Sequence, residues 1–228
     1  MDLWAVVPIK ELERAKERLA PLLPPERRRA LMLAMFEDVL AALAATPGLA
    51  GLAVVTIDPA AGRLAAEYGA RLIERGARDG HTGAVAAAAT LLAEEGCAGM
   101  LTLPGDIPLV TPAEIKSLVA AHRPAPAFTI APSRDELGSN AIVCSPPDAV
   151  PLRFGEDSFL PHLRAAEGCG IRPTVLRLPG IALDVDTPED LAAFAALPSP
   201  TRTRAFLAQN GVLHVHERAD APTGDHWG

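Results

Sequence analysis

Short runs dominated by apolar residues alternate along the first half of the chain with longer stretches of mixed polarity. The first run, Leu3–Ile9, has no polar interruption. A run that does not alternate with polar residues predicts a strand buried on both faces, as in a parallel sheet. The other strands predicted in this half are Leu52–Ile57, Ala70–Glu74 and Ala98–Leu103.

Helical periodicity fills the intervals between these strands. Within Glu26–Ala45 the apolar residues Leu31, Met35, Val39 and Leu43 recur at helical spacing, and no Pro or Gly interrupts them. Shorter helices are predicted over Ala60–Tyr68, Ala84–Glu95 and Pro112–Ala121. This alternation predicts an α/β protein, with a mostly parallel sheet sandwiched by helices.

The second half has shorter strands separated by polar segments, which predicts a mixed end to the sheet. The strands predicted there are Phe128–Ala131, Ala141–Cys144, Thr174–Leu178 and Ile181–Val185. A helix is expected from Ser158 to about Glu167. Another begins at Thr187, because Thr is a good N-cap and Pro188 suits the first helical position.

The composition changes after Leu197, where Pro198-Ser199-Pro200 resembles a linker. We predict one domain over residues 1–197 and a partly disordered C-terminal extension over residues 198–228. The extension contains a predicted short helix, Thr201–Gln209, and a predicted edge strand, Val212–His216. The spacing of His214 and His216 can hold a metal ion, although no acidic or cysteine partner lies nearby.

Bulk composition narrows the classes of function. The 228 residues are 49% hydrophobic and carry a formal charge of −7, which argues against nucleic acid or an anionic membrane as partner. No apolar run reaches the roughly 18–20 residues that span a bilayer, and the N-terminus lacks a basic signal segment. The three cysteines, Cys97, Cys144 and Cys169, are far apart in the sequence and lack metal-ligand spacing, which is typical of free cysteines in a reducing compartment. We therefore predict a cytoplasmic protein.

Carboxylates stand at two points where predicted strands end. Asp106 follows Pro104-Gly105, at the end of a predicted strand. Ligands of open α/β sheets bind beyond the carboxyl ends of the strands, so Asp106 is placed like a site residue. The alternative is a plain strand-to-helix turn, for which Asp is also well suited. Asp184 and Asp186 precede the Thr187 cap, and in an extended segment they point the same way. Two carboxylates on one face repel each other unless a cation lies between them. Without His or Cys partners, these side chains suit Mg²⁺ or Mn²⁺.

Cationic and glycine-rich loops surround this predicted site. Lys10, Lys16 and Arg18 follow the first strand and either gather around phosphates or pair with nearby glutamates on a solvated helix. The loop Arg75–Gly83 opens a helix, where free backbone N–H groups can bind a nucleotide, but it is not a P-loop. Ser158 either offers an anion site at a helix start or simply caps its helix. Magnesium with lysines and backbone donors indicates phosphoryl or nucleotidyl transfer.

Several motifs occur together in the order typical of one family. They are Val6-Val7-Pro8-Ile9-Lys10, Ala15-Lys16-x-Arg18-Leu19, Leu103-Pro104-Gly105-Asp106-Ile107-Pro108, Gly138-Ser139-Asn140-Ala141, Phe154-Gly155-x-x-Ser158-Phe159 and Leu183-Asp184-Val185-Asp186-Thr187-Pro188. Over about residues 3–197 the chain resembles the 2-phospho-L-lactate guanylyltransferases of deazaflavin coenzyme (F-420) biosynthesis. That resemblance implies the nucleotide-diphospho-sugar transferase (glycosyltransferase-A-like) fold. It also implies transfer of GMP from GTP, with release of pyrophosphate, to 2-phospho-L-lactate, phosphoenolpyruvate or 3-phospho-D-glycerate.

The resemblance also implies roles for individual residues. Asp106, Asp184 and Asp186 would hold Mg²⁺, while Lys10, Lys16 and Arg18 would act with Asp106 in catalysis. The residues expected near the nucleotide are Pro8, Lys10, Gly80, Thr82, Gly83, Pro104 and Gly105. The residues expected near the phosphoacid are Ser139, Asn140, Gly155 and Ser158.

The chain departs from the family pattern at His81-Thr82-Gly83, where a Leu-Asn pair is expected. An Asn amide can read a base edge with a donor and an acceptor, and Thr82 offers less, so guanine preference stays open. His81 is either a plain loop residue or a catalyst. Apolar helix faces suggest a homodimer.

Two other functions share part of this sequence pattern. One is a transferase of the same fold acting on a sugar phosphate or molybdopterin. The segment Pro8-Ile9-Lys10 speaks against it, because those enzymes carry a Gly-rich loop there. The other is a non-catalytic nucleotide-binding module, against which the intact acidic residues speak.

Overall fold

The computed structural model describes residues 2–155 and 157–212. Its strands are β1 (Leu3–Pro8), β2 (Leu49–Val55), β3 (Arg71–Ile73), β4 (Gly99–Thr102), β5 (Ala127–Pro132), β6 (Ser139–Ser145) and β7 (Thr174–Val175). Its α-helices are α1 (Pro25–Ala44), α2 (Pro59–Glu67), α3 (Gly80–Glu94), α4 (Pro112–Ala121), α5 (Phe159–Gly168), α6 (Pro179–Ala182), α7 (Pro188–Ala196) and α8 (Arg202–Gln209). Two short 3₁₀ turns, Leu12–Arg14 and Glu17–Leu19, follow β1.

These strands form one sheet in the order β3-β2-β1-β4-β6-β5-β7. The pairs among β3, β2, β1 and β4 are parallel, and β5 pairs in parallel with β7. Strand β6 is antiparallel to both of its neighbours, β4 and β5. The amino end of β6 therefore lies at the edge of the sheet where β1 and β4 end. The predicted fold class, a mostly parallel mixed sheet between helices, is confirmed.

Helices cover both faces of the sheet because its central strands are apolar on both sides. On β1, the side chains of Leu3, Ala5 and Val7 pack with α1, α2, α4, α7 and α8 on one face. Val6 points to the other face and packs with α3. Helix α5 covers the far end of that second face, over β5 and β6. The continuous apolar runs of the sequence reflect this two-sided burial.

The predicted strand Ile181–Val185 is wrong. Its first residues belong to the short helix α6, and the rest pairs with no strand of the described chain. The carbonyls of Ile181 and Ala182 accept hydrogen bonds from the Asn140 side chain, and Ala182 also accepts from the backbone of Arg134. These carbonyls are thus satisfied by the Asn140 side chain on β6 and the Arg134 backbone instead of a sheet ladder. The predicted strand Thr174–Leu178 is correct in place but shorter, ending at Val175.

The predicted C-terminal extension is partly described. Its helix, α8, packs on α1, where the Asp38 carboxylate accepts backbone hydrogen bonds from Arg202 and Thr203 at 2.8 and 2.9 Å. Burial nevertheless raises the pKa of Asp38 above its ordinary value. The domain boundary after Leu197 stays a prediction. The predicted edge strand after Val212, the histidine pair at 214 and 216, and the tail lie outside the described residues.

Candidate active site

A cavity of about 870 Å³ opens at the edge of the sheet where β1 and β4 end and β6 begins. Most of the predicted site residues line it, namely Lys10, Arg18, Gly80, Thr82, Pro104, Asp106, Ser139, Asn140, Gly155, Ser158, Asp184 and Asp186. A second cavity of about 370 Å³ shares Lys10, Asp106 and Asp186 with it and adds Pro8, Lys16 and Gly105. Gly83, also a predicted site residue, lines neither cavity. It packs against Asp79 so closely that an added Cβ would lie 2.3 Å from the Cβ of Asp79. The fold thus brings together residues from nearly the whole length of the chain.

Close packing behind Gly105 sets the position of Asp106. A Cβ on Gly105 would lie 2.2 Å from Cδ1 of Ile9, which would have to move. The N–H of Val185 donates to the carbonyl of Asp106 at 3.0 Å and holds the acidic segment beside this turn. Asp106 and Asp186 therefore face the same cavity although they lie far apart in the sequence.

Lys16 is the cation between these two carboxylates. Its backbone is left-handed, at φ 53° and ψ 44°. Its Nζ donates to Asp106 Oδ2 at 2.6 Å and to Asp186 Oδ1 at 2.5 Å, and only 4% of its side chain is exposed. Burial works against the charge, but the two carboxylates outweigh it and raise the pKa of Lys16. The predicted alternative of a solvated helix is therefore wrong for Lys16, which is buried in an ion-paired group.

The two downstream aspartates differ in their surroundings. Burial, followed by the charge of Asp106, raises the pKa of Asp184, although the Asn140 amide donates to its carboxylate at 3.1 Å. Burial also acts to raise the pKa of Asp186, but the ammonium of Lys16 outweighs it and the pKa falls below the ordinary value. Repulsion between Asp184 and its acidic neighbours favours a further cation here. The side-chain amide of Asn140, predicted near the phosphoacid, is engaged with this acidic segment.

The donor chemistry of the acidic group fits a hard divalent cation, because three carboxylates supply oxygen ligands. In this structure the charge between Asp106 and Asp186 comes from the Lys16 ammonium. Within the part of the chain that the structure describes, no three acidic, His or Cys side chains form a group that could enclose a metal. A metal ion would therefore share these carboxylates with Lys16, and the predicted ligand set stays a prediction.

A second part of the site is made of uncharged side chains. Ser139 opens β6 and Ser158 precedes α5, and their hydroxyl oxygens are 3.2 Å apart. Both serines are buried yet line the cavity. Behind them, Nδ1 of His162 is 2.9 Å from the Ser139 Oγ. The Ser158 side chain makes no capping hydrogen bond to the backbone of α5. Its hydroxyl donates to Ser139 instead.

The first turn of α3, predicted from the sequence as part of a Gly-rich loop, contacts the segment before α5. The Thr82 hydroxyl accepts a hydrogen bond from the backbone N–H of Phe154 at 3.0 Å. The Phe154 ring lies between two histidine rings, with centroids 4.4 Å from His81 and 5.0 Å from His162. Burial lowers the pKa of both histidines to about 4, so both rings are neutral at physiological pH.

Sequence reasoning missed Phe154 and His162 as parts of this site. One signal could have found His162: it lies four residues after Ser158 on the same helix, so the two side chains share a face. Phe154 opens the motif Phe154-Gly155-x-x-Ser158-Phe159, but no role could be inferred for it, because its ring contacts are with two histidines outside that motif.

No helix among the described residues is long and apolar enough to cross a membrane. In sequence, residues 3–222 match the family model described as "Guanylyl transferase CofC like". The chain is 38% identical over 215 residues to the phosphoenolpyruvate guanylyltransferase of Conexibacter woesei, covering 92% of this chain and 96% of that protein. It is 37% identical over 196 residues to the 3-phospho-D-glycerate guanylyltransferase of Colwellia psychrerythraea, covering 86% of this chain and 92% of that protein.

Solved structures share the fold. A protein from Desulfovibrio desulfuricans G20, described as a nucleotide-diphospho-sugar transferase, matches 95% of this chain and 98% of its own, with a TM-score of 0.76 and 20% identity. The CMP:2-keto-3-deoxy-manno-octonic acid synthetase, solved with CTP, matches 92% of this chain and all of its own with a TM-score of 0.57 and 16% identity. The predicted nucleotide-diphospho-sugar transferase fold is thereby confirmed.

Proposed function

The chain belongs to the family of CofC-like guanylyl transferases, and we propose that it transfers GMP from GTP to a three-carbon phosphoacid. Its relatives are named for phosphoenolpyruvate or 3-phospho-D-glycerate. The product would be a guanylylated phosphoacid, released with pyrophosphate, for the biosynthesis of coenzyme F-420. The observation that carries the proposal is that one cavity is lined both by Asp106 and Asp186, the two carboxylates that Lys16 bridges from the adjoining cavity, and by a pair of buried hydroxyls.

In the proposed reaction an oxygen of the acceptor phosphate attacks the α-phosphorus of GTP. A bond forms between that oxygen and the phosphorus, and the bond from the phosphorus to the bridging oxygen of pyrophosphate breaks. The attacking oxygen is already ionised, so that no general base is required. The obstacle is the approach of two anions, which nearby positive charge and oriented donors reduce.

Lys10, Lys16 and Arg18 are suited to that task. Lys10 and Arg18 line the cavity, and their charges act on Asp186 together with that of Lys16. These side chains would bind the triphosphate and neutralise charge that develops on the leaving pyrophosphate. Asp106, Asp184 and Asp186 would hold Mg²⁺, which when bound supplies further charge neutralisation at the phosphates.

The proposal is tested by measuring pyrophosphate release with and without Mg²⁺ for every pairing of GTP, ATP, CTP and UTP with the three phosphoacids. Release with GTP and one phosphoacid, dependent on the metal, is the expected result and names the acceptor. Release with another nucleotide would overturn the guanine assignment and indicate that the segment His81-Thr82 determines the base preference. No release from any pair would overturn the proposal.

A cytoplasmic location belongs to the same proposal, since GTP and small phosphoacids are cytoplasmic metabolites. The homodimer suggested by apolar helix faces stays a prediction. Light scattering of the purified full chain measures the oligomeric state directly. A monomer at enzyme concentrations used for turnover would exclude the dimer.

A further inference from the structure

His162 holds the two cavity serines from behind. It lies in the first turns of α5, is 1% exposed, and does not line the cavity itself. Its Nε2 is 2.9 Å from the backbone nitrogen of Arg153, and its Nδ1 is 2.9 Å from the Ser139 Oγ. The imidazole therefore bridges the loop before α5 and the first residue of β6.

The Arg153 contact determines which ring nitrogen carries the proton. A backbone N–H can only donate, so Nε2 of His162 must accept and cannot itself be protonated. In a neutral imidazole the hydrogen then lies on Nδ1, which donates to the Ser139 oxygen. Burial favours this neutral form, because it lowers the pKa of His162 to about 4.

This tautomer leaves the serine pair with one hydroxyl hydrogen to spare. Ser139 and Ser158 have two O–H groups, and the hydrogen bond between them uses one. Since the Ser139 oxygen receives the Nδ1 hydrogen, the other O–H is not needed by His162 and can donate into the cavity that both serines line. With the opposite tautomer, His162 would accept from Ser139 and both O–H groups would be consumed within the described residues.

We infer that His162 is a positioning residue that makes the Ser139–Ser158 pair a hydrogen-bond donor toward the anionic phosphoacid. The inference rests on the proposed function, because it concerns recognition of the acceptor acid. Phosphate and carboxylate oxygens can only accept hydrogen bonds, so a hydroxyl pair with an outward O–H matches them. The hydrogen bond from His162 to Ser139 orients the Ser139 hydroxyl without adding a charge to the cavity.

Enzyme kinetics with purified full-length variants tests the inference. Ser139→Ala and His162→Phe should each raise the KM for the phosphoacid about tenfold, the loss of one good hydrogen bond, and change the KM for GTP less than twofold. Because His162 acts through Ser139, the double variant should be no worse than Ser139→Ala alone. His162→Asn keeps an N–H donor near the position of Nδ1 and should recover most of the affinity.

His122→Phe is the matched control. His122 is also buried with a pKa lowered to about 4, and its ring bonds Thr129 and Ser145 at 3.0 Å, but it lines neither cavity. Its substitution should leave the KM for the phosphoacid unchanged. Multiplying effects in the double variant, or an equal rise in the KM for GTP, would show a general structural role for His162 and overturn the inference.

The tautomer can be measured without any substrate. Long-range ¹H–¹⁵N correlation spectra of the wild-type protein, assigned with His162→Phe, should show His162 protonated at Nδ1. Protonation at Nε2 would overturn the inference whatever the enzyme's activity. If the wild-type protein released no pyrophosphate, the proposed function would fail while the spectrum still decided the state of His162.

Discussion

The site has a charged part, Lys16 with Asp106 and Asp186, and a part made of uncharged side chains, Ser139 and Ser158 with His162 behind them, and the two are built differently. In the charged part the ammonium of Lys16 lies between Asp106 and Asp186, so that each group depends on the charge of another. In the uncharged part Ser139, Ser158 and His162 are joined by neutral hydrogen bonds. Removing a partner from a buried ion pair costs far more than removing one neutral hydrogen bond. The charged part is thus suited to phosphoryl chemistry and the uncharged part to selecting the acid.

The largest effect is expected in the charged part, at Asp184. Asp184→Ala removes a proposed metal ligand and should lower kcat at least about 1000-fold, by loss of transition-state charge stabilisation. Removal of divalent ions with a chelator should have a comparable effect on the wild-type enzyme. Steady-state pyrophosphate release measures both. Asp148→Ala, at an exposed carboxylate outside the cavity lining, is the control. A near-normal kcat for Asp184→Ala would remove the acidic group from the catalytic machinery.

Lys16→Met should lower kcat about 100-fold, because it leaves Asp106 and Asp186 without the ammonium between them. Lys16→Arg should not restore the rate, since a planar guanidinium cannot replace a point charge in a side-chain site only 4% exposed. Single-turnover rates measure this effect. The control is Lys116→Met, on the exposed surface of α4. A rate for Lys16→Arg equal to that of the wild type would mean that any positive charge suffices here.

The buried histidines His122 and His162 make the free energy of unfolding depend on pH. The pKa of His122 is about 4 in the folded protein against an ordinary value of 6.5, so the unfolded chain binds more protons between these values. The free energy of unfolding should therefore fall as the pH drops from about 6.5 to about 4, by roughly 2 kcal/mol for each such histidine. Both His122→Phe and His162→Phe should flatten this slope in urea titrations.

The same two variants should differ in catalysis, because His162 alone of the two contacts a cavity serine. An unchanged slope in both variants would mean that neither ring is kept neutral by the fold. A raised KM for the phosphoacid in His122→Phe would contradict the assignment of phosphoacid recognition to Ser139, Ser158 and His162.

Sequence patterns predicted the sheet well because the strands that form it are apolar on both faces. Val6 and Val7, for example, pack on opposite faces, so that the run shows no alternation. The strand predicted over Ile181–Val185 is wrong, because the Asn140 side chain on β6 and the Arg134 backbone N–H bond the carbonyls of its first two residues. Such long-range hydrogen bonds leave no periodic trace in the sequence.

The candidate site was only partly predictable for the same reason. The position of Asp106 could be inferred from where a predicted strand stops. Asp184, by contrast, was placed on a predicted strand that is absent from the described sheet, and the surroundings of neither carboxylate could be inferred. The left-handed backbone at Lys16 and its burial between two carboxylates depend on the tertiary fold. Within a charge-dense segment, Lys16 is indistinguishable by type from its exposed neighbours.

The smallest effect is expected at Thr82, in the first turn of α3. Thr82→Val keeps the shape of the side chain and removes the hydroxyl that accepts from the Phe154 N–H. Phe154 packs against His162, so its displacement should raise the KM for the phosphoacid about threefold through the serine pair. Because the hydroxyl is already engaged with the backbone, the preference for GTP over ATP should change less than twofold. Thr90→Val, later on the same helix, is the control. A large fall in the GTP preference with an unchanged phosphoacid KM would instead make Thr82 a reader of the base.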